Sequence, residues 1–174
     1  MAQARLNLKS LVVLIVDRDA FTRGLLSQML RGFGVETVLT ANTGAETKEL
    51  LDHHCPDICL IEGELPDLSC PGLIGWIRHH RNPAVHFVPI IVMSGYTQMR
   101  LVSAARDGGA HMVVRKPLSP QTLFDRLAWV ASSDRAFLEA PNYVGPDRRF
   151  HSVSPSKEEL KREGDRLVEI EANP

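Results

Sequence analysis

The sequence predicts an α/β fold, a doubly wound five-stranded parallel sheet followed by an extended C-terminal arm. Three observations carry this. Short apolar runs recur at roughly even spacing, Leu11–Val16, Ile58–Ile61, Val88–Met93 and Met112–Val114, with Val35–Thr40 as a weaker fifth. They are β-branched and do not alternate with polar residues, which marks strands buried on both faces, as in a parallel sheet. Helix-period patterns lie between them, and strand followed by helix, repeated with right-handed crossovers, winds a sheet on both faces.

Each helix has its own start signal. Asp19 caps the first, whose stripe is Phe21, Leu25, Met29 and Leu30, with Gly32 near its end. Thr43 and Glu46 form a capping box that opens the second. Leu73, Ile74, Trp76 and Ile77 mark the third, and Met99–Ala105 the fourth. Ser119 followed by Pro120 starts the fifth, with Leu123, Leu127 and Val130 facing inward. These elements make one domain over residues 9–131. Residues 132–156, broken by Pro141, Gly145, Pro146 and Pro155, are expected to form a linker or wrapping arm. The charge-rich tail, 157–174, carries Leu160, Leu167 and Val168 and predicts a short helix over 157–170.

Composition narrows the function. Of 174 residues, 44% are hydrophobic and 24% charged, a globular balance. With 20 Lys+Arg against 21 Asp+Glu, no long-range field draws the chain to nucleic acid or to an anionic membrane. The longest apolar run, Leu11–Val16, falls far short of the roughly 20 residues that span a bilayer, so membrane insertion is not expected. The N-terminus MAQARLNLKS has no signal-peptide pattern. Cys55, Cys59 and Cys70 are too few and too odd for a disulfide framework, which together with that N-terminus predicts a cytoplasmic location. His53, His54, Cys55 and Cys59 lack a second ligand pair at zinc spacing, and no structural metal is expected.

In a doubly wound sheet the site lies beyond the carboxyl ends of the strands. There the sequence delivers Asp17, Arg18 and Asp19 after the first strand, Glu62 after the third, Ser94 after the fourth and Lys116-Pro117 after the fifth. Taken singly these are ordinary cap, turn or solvated residues. As an ordered set they resemble the receiver domain of two-component response regulators, flavodoxin-like and CheY-like in fold. The stretches LVVLIVDRDAFTR, PDICLIEGELP, GLIGWIR, IIVMSG and GAHMVVRKPLSP carry the likeness. The resemblance implies an aspartate acceptor for a phosphoryl group at the end of the third strand. It also implies two acids after the first strand that hold Mg²⁺, and a Ser/Thr and a Lys on the phosphoryl oxygens. Metal and lysine neutralise the charge developing on the transferred group while a carboxylate attacks.

This chain departs from that pattern where it matters most. Six residues after Pro56 the acceptor position is Glu62. Its extra methylene moves the carboxylate into the space of a phosphoryl oxygen, and a misplacement of ~1 Å costs about 100-fold in rate. The second acidic position is Arg18, found by aligning Asp17 with the first acid and Arg23 with the usual basic residue six places later. An arginine there removes a hard oxygen ligand and adds positive charge, so Mg²⁺ is not expected. Together these predict a pseudo-receiver, not an enzyme, with a permanent Arg18, Glu62 and Lys116 network and Ser94 as hydrogen-bond partner. Asp17 would hold a metal only if Mg²⁺ is retained. The alternatives are a drifted pocket whose charges merely balance, and a receiver still phosphorylated by a histidine kinase, including on Glu64 or Asp67. The aromatic residue common three places before the lysine is here Val113, the loop Asp67–Gly72 is longer than usual, and Tyr96 follows Ser94-Gly95.

The tail adds one motif. Tyr143, Asp147, Arg148 and Arg149, within Tyr143–Phe150, combine aromatics, guanidinium groups and an acid. Arginine pairs with phosphate or a guanine edge and stacks on bases, and a carboxylate accepts from guanine. The segment resembles the arginine-rich tails of chemotaxis-type receivers that bind cyclic di-GMP, although the further arginine expected is replaced by Phe150–Val153. The other readings are that the arginines pin the arm to the domain's own surface, or that the arm docks a kinase, a motor component, another regulator or a second copy in a homodimer. About 43 residues after the domain are too few for a winged-helix module, and no DNA partner is expected.

Overall fold

The apolar runs become five parallel strands, β1 (Val12–Val16), β2 (Thr37–Ala41), β3 (Ile58–Glu62), β4 (Ile90–Ser94) and β5 (Met112–Arg115). Their order is β2-β1-β3-β4-β5, the doubly wound order that opens a crevice beside β1 and β3. The computed structural model describes residues 8–95, 99–132 and 137–147, with the backbone of 166–168. β1, β3 and β4 are sealed on both faces, whereas the edge strands β2 and β5 are partly exposed, which is why β2 had the weaker apolar signal.

Helices α1 (Ala20–Gly32), α2 (Gly44–His53), α3 (Cys70–Arg78), α5 (Met99–Asp107) and α6 (Pro120–Ala131) match the five predicted ones, and a short α4 (Pro83–His86) is added. Leu26 and Leu30 of α1 join Leu123, Leu127 and Val130 of α6 on one face of the sheet. Leu51, Leu73, Ile74, Ile77 and Ala105 cover the other. Asp19 caps α1 by accepting from the N–H groups of Phe21 and Thr22. Of the predicted stripe Leu30 is buried and Met29 packs against the core, but Leu26 is buried in place of Leu25, which leaves Phe21 77% and Leu25 41% exposed. Thr43 caps α2 as predicted, but the Glu46 carboxylate reaches back to the Asn42 N–H, at 2.7 Å, one residue earlier than a capping box requires. Asn82 caps α4 through Ala84, and that extra turn delays β4 to Ile90.

Beyond α6, β6 (Phe137–Ala140) and β7 (Tyr143–Pro146) form an antiparallel hairpin within the stretch expected to be a linker or wrapping arm. β8 (Arg166–Val168) pairs with the other side of β6. These three residues are therefore strand in place of the predicted helix; the remainder of 157–170 lies outside the described residues. The open backbone edge of β6 supplies hydrogen bonds for which a weakly periodic, charge-rich segment had no better helical alternative.

The hairpin sits over a buried arginine at the base of the sheet. Arg78 is fully buried. Its Nε and one terminal nitrogen donate to the Gly109 carbonyl at 3.1 and 3.0 Å, and the other donates to the His86 carbonyl at 2.6 Å. The Phe137 ring lies 5.0 Å from its guanidinium carbon, a cation–π contact strengthened by desolvation. Burial pulls the Arg78 value down to about 10, still charged at neutral pH. Gly109 has φ +102°, and a Cβ there would stand 2.3 Å from the Val144 carbonyl oxygen. Glycine thus permits both the turn and the close approach of β7. Gly109→Ala is expected to cost about 1–3 kcal/mol, seen as a lower thermal midpoint and faster amide exchange in β6 and β7 than in β1 and β3.

Candidate functional site

Three strand ends meet at the carboxyl edge of the sheet. Asp17 follows β1, Glu62 ends the neighbouring β3, and Lys116 follows β5, two strands further over. β4 lies between, where the Ser94 carbonyl accepts the Lys116 N–H at 2.8 Å and so fixes where the lysine leaves the sheet. The Lys116 ammonium donates to Asp17 Oδ2 and, at 3.0 Å, to Glu62 Oε1. Asp17 is wholly buried and its Oδ1 accepts the Asp19 N–H at 2.9 Å. Arg23 donates to the Asp17 carbonyl at 2.6 Å, tying the first turn of α1 to the end of β1.

Arg18 stands at the rim. Its backbone N–H donates to Glu62 Oε2 at 3.2 Å, while its guanidinium lies 3.8 Å from that oxygen and 3.6 Å from Glu64, with the side chain 57% exposed. Lys116, not Arg18, therefore occupies the centre, and Asp17 is a full member of the cluster. Glu64 is a member that sequence reasoning placed only beside the pocket; its position two residues after Glu62 was the available signal. Ser94 is buried, with its Oγ packed against Gly63. The long loop has a structural role, in which Asp67 accepts from the N–H groups of Gly44 and Ala45 at 2.8 and 2.9 Å. These bonds cap α2 and hold the Asp67 carboxyl below its usual range. Cys59 and Cys70 are buried thiols, each pushed up to about 12 by desolvation. Among the described residues no group of three or more His, Cys, Asp or Glu is placed to hold a metal ion.

The tail motif is divided. Tyr143 donates its hydroxyl to the Pro146 carbonyl at 2.6 Å, closing the hairpin on itself, and Asp147 is buried. Arg148 and Arg149 lie outside the described residues, as does Tyr96.

The model of the response regulator receiver domain family matches residues 13–128, which spans every strand end described above. The chain belongs to this family. Among curated relatives, the receiver is similar to the transcriptional regulatory protein PdtaR of Mycobacterium tuberculosis, at 32% identity over 123 residues, covering 71% of this chain and 58% of that protein. It is also similar to the polar-differentiation response regulator DivK of Brucella anthropi, at 26% over 107 residues, 62% of this chain and 85% of that one. The chemotaxis response regulator CheY4 of Vibrio cholerae shares the fold, with a TM-score of 0.63 at 24% identity over 69% of this chain and 98% of that one.

Two carboxylates this close oppose each other's ionisation. Burial pushes the Glu62 carboxyl up and Asp17 adds to the shift, while Lys116 opposes it. The folded receiver thus holds this proton more tightly than the unfolded chain. The stability Glu62 contributes is full below the ordinary glutamate range and declines as pH rises through the elevated folded value. Glu62→Gln is expected to abolish that decline, so its thermal midpoint gains on wild type between about pH 4 and pH 8. Lys116→Met removes the cation between two carboxylates of which one is fully buried; a loss of about 3 kcal/mol in chemical denaturation is expected, smaller at pH 5 than at pH 8.

Proposed function

We propose that this receiver is a pseudo-receiver, which acts in bacterial two-component or chemotaxis-type signalling by protein–protein contact and is not switched by phosphorylation. One observation carries the reading: each of the four carboxylate oxygens of Asp17 and Glu62 already faces a nitrogen donor of the same chain. Mg²⁺ needs several hard oxygen ligands in near-octahedral array and gives up its waters reluctantly. The present donor set does not fit it, since Lys116 takes one oxygen from each acid and Arg18 adds a second positive charge at the rim. Glu62 stands in the acceptor position, with its carboxylate already held on both oxygens. An anion-like charge beside a permanent cation is the arrangement a phosphorylated pocket would reach only transiently.

The test uses acetyl phosphate with Mg²⁺ and intact-mass detection. No phosphoryl adduct is expected on wild type, whereas a variant with both Arg18→Asp and Glu62→Asp, which rebuilds the acidic pair and the shorter acceptor, is expected to gain a Mg²⁺-dependent adduct. An adduct on wild type that Glu62→Gln abolishes would establish a phosphorylated receiver instead. A nucleotide role for the tail competes on separate grounds. The fixed hydroxyl of Tyr143, bound to Pro146, favours a structural part for that residue, and calorimetry with cyclic di-GMP is expected to show no heat at high micromolar ligand.

A further inference from the structure

One imidazole joins the C-terminal hairpin to the base of the sheet. His86 ends α4, and its Nε2 lies 3.3 Å from Glu139 Oε1 of β6. The pair is at ionic distance without an aligned hydrogen bond, and that nitrogen is buried with no hydrogen-bond partner among the described residues. Phe87 and Phe137 pack on the ring, at centroid distances of 4.4 and 6.1 Å. His86 shares a cleft of about 440 Å³ with Arg78, His79 and His80 of α3 and with Glu139, to which β7 adds the apolar Val144. His80 is itself 3.2 Å from Asp52 of α2. On the other side of Phe137, His111 precedes β5 with its ring centroid 6.1 Å away, and its Nδ1 accepts the Ile90 N–H at 3.2 Å.

We propose that His86 is a proton-operated latch for the C-terminal arm: as a neutral ring it holds β6 and β7 on the base of the sheet, and a proton on it releases them. Three effects compete when the ring is charged. Its side chain is only 14% exposed, so the new charge is largely cut off from water. Arg78, permanently cationic and hydrogen-bonded to the His86 carbonyl at 2.6 Å, repels it, as does His79. Glu139 attracts it, but that carboxylate is 41% exposed and its pull is screened. Burial outweighs the attraction, and the proton affinity of His86 in the folded chain falls below the usual histidine value. The stability His86 lends to the docked hairpin is therefore full above the ordinary histidine range and is lost as pH falls through the lowered folded value. His111 works in the same sense, because an imidazolium has no lone pair with which to accept the Ile90 N–H. The strain of the charge falls where the arm meets the sheet, and the arm is the part that can leave without unpairing β1 to β5.

Amide hydrogen exchange on the full chain, corrected for the intrinsic pH dependence of exchange, tests this. Between about pH 7.5 and pH 5, protection in β6 and β7 is expected to fall about tenfold while that of β1 and β3 holds. His86→Gln should make hairpin protection nearly independent of pH over that range. Glu139→Gln removes the one opposing charge, so its acid loss should exceed that of wild type by about threefold. A histidine NMR titration of wild type, which needs no variant to fold, should place the His86 midpoint below the usual histidine range. Hairpin protection that ignores pH, an equal loss in β1 and β3, the same acid loss in His86→Gln, or a His86 midpoint at or above the usual range would each overturn the proposal.

Discussion

A single ammonium group organises the carboxyl edge of this sheet. The strand order places the ends of β1 and β3 side by side, and both deliver a carboxylate to the same small volume. Two such charges repel strongly once water is excluded. Lys116 enters from two strands away and touches both. Everything else around the mouth follows from that bridge. Ser94 sets where the lysine leaves the sheet, Arg23 and the Asp19 N–H fix Asp17, and Arg18 and Glu64 pair at the surface because the interior position is taken.

Much of this was legible in the residues. The uninterrupted β-branched runs marked the strands, of which β1, β3 and β4 are covered on both sides and the edge strand β5 is not, and the caps Asp19, Thr43 and Ser119 stand where oxygen side chains satisfy free N–H groups. What escaped has physical causes too. Glu46 chose between two N–H groups one residue apart, a matter of rotamer. Phe21 and Leu25 fit the helical period as well as Leu26 does, and only packing against the sheet tells the two rows apart. At the site, the types and order of Asp17, Glu62, Ser94 and Lys116 could be read from the strand ends. The displacement of Arg18 to the rim could not, because it depends on competition with a lysine almost a hundred residues away.

The base of the sheet solves a different electrostatic problem. Arg78 is buried against carbonyl oxygens of Gly109 and His86 and against an aromatic face. Partial negative charges from backbone dipoles thus replace a counter-ion. Sequence could not foresee this, since carbonyls leave no mark in residue identity. His86, 3.3 Å from Glu139 of the hairpin, has its proton affinity lowered by burial, with Arg78 acting in the same sense and Glu139 against it.

Phe137 belongs to the C-terminal arm, yet it is only 2% exposed and lies against a guanidinium of α3. Buried packing consequently continues past residue 131, where sequence periodicity alone would draw the boundary. A chain trimmed there would lose its aromatic lid and admit water to a permanently charged side chain, turning what looks like an appendage into part of the molecule's foundation.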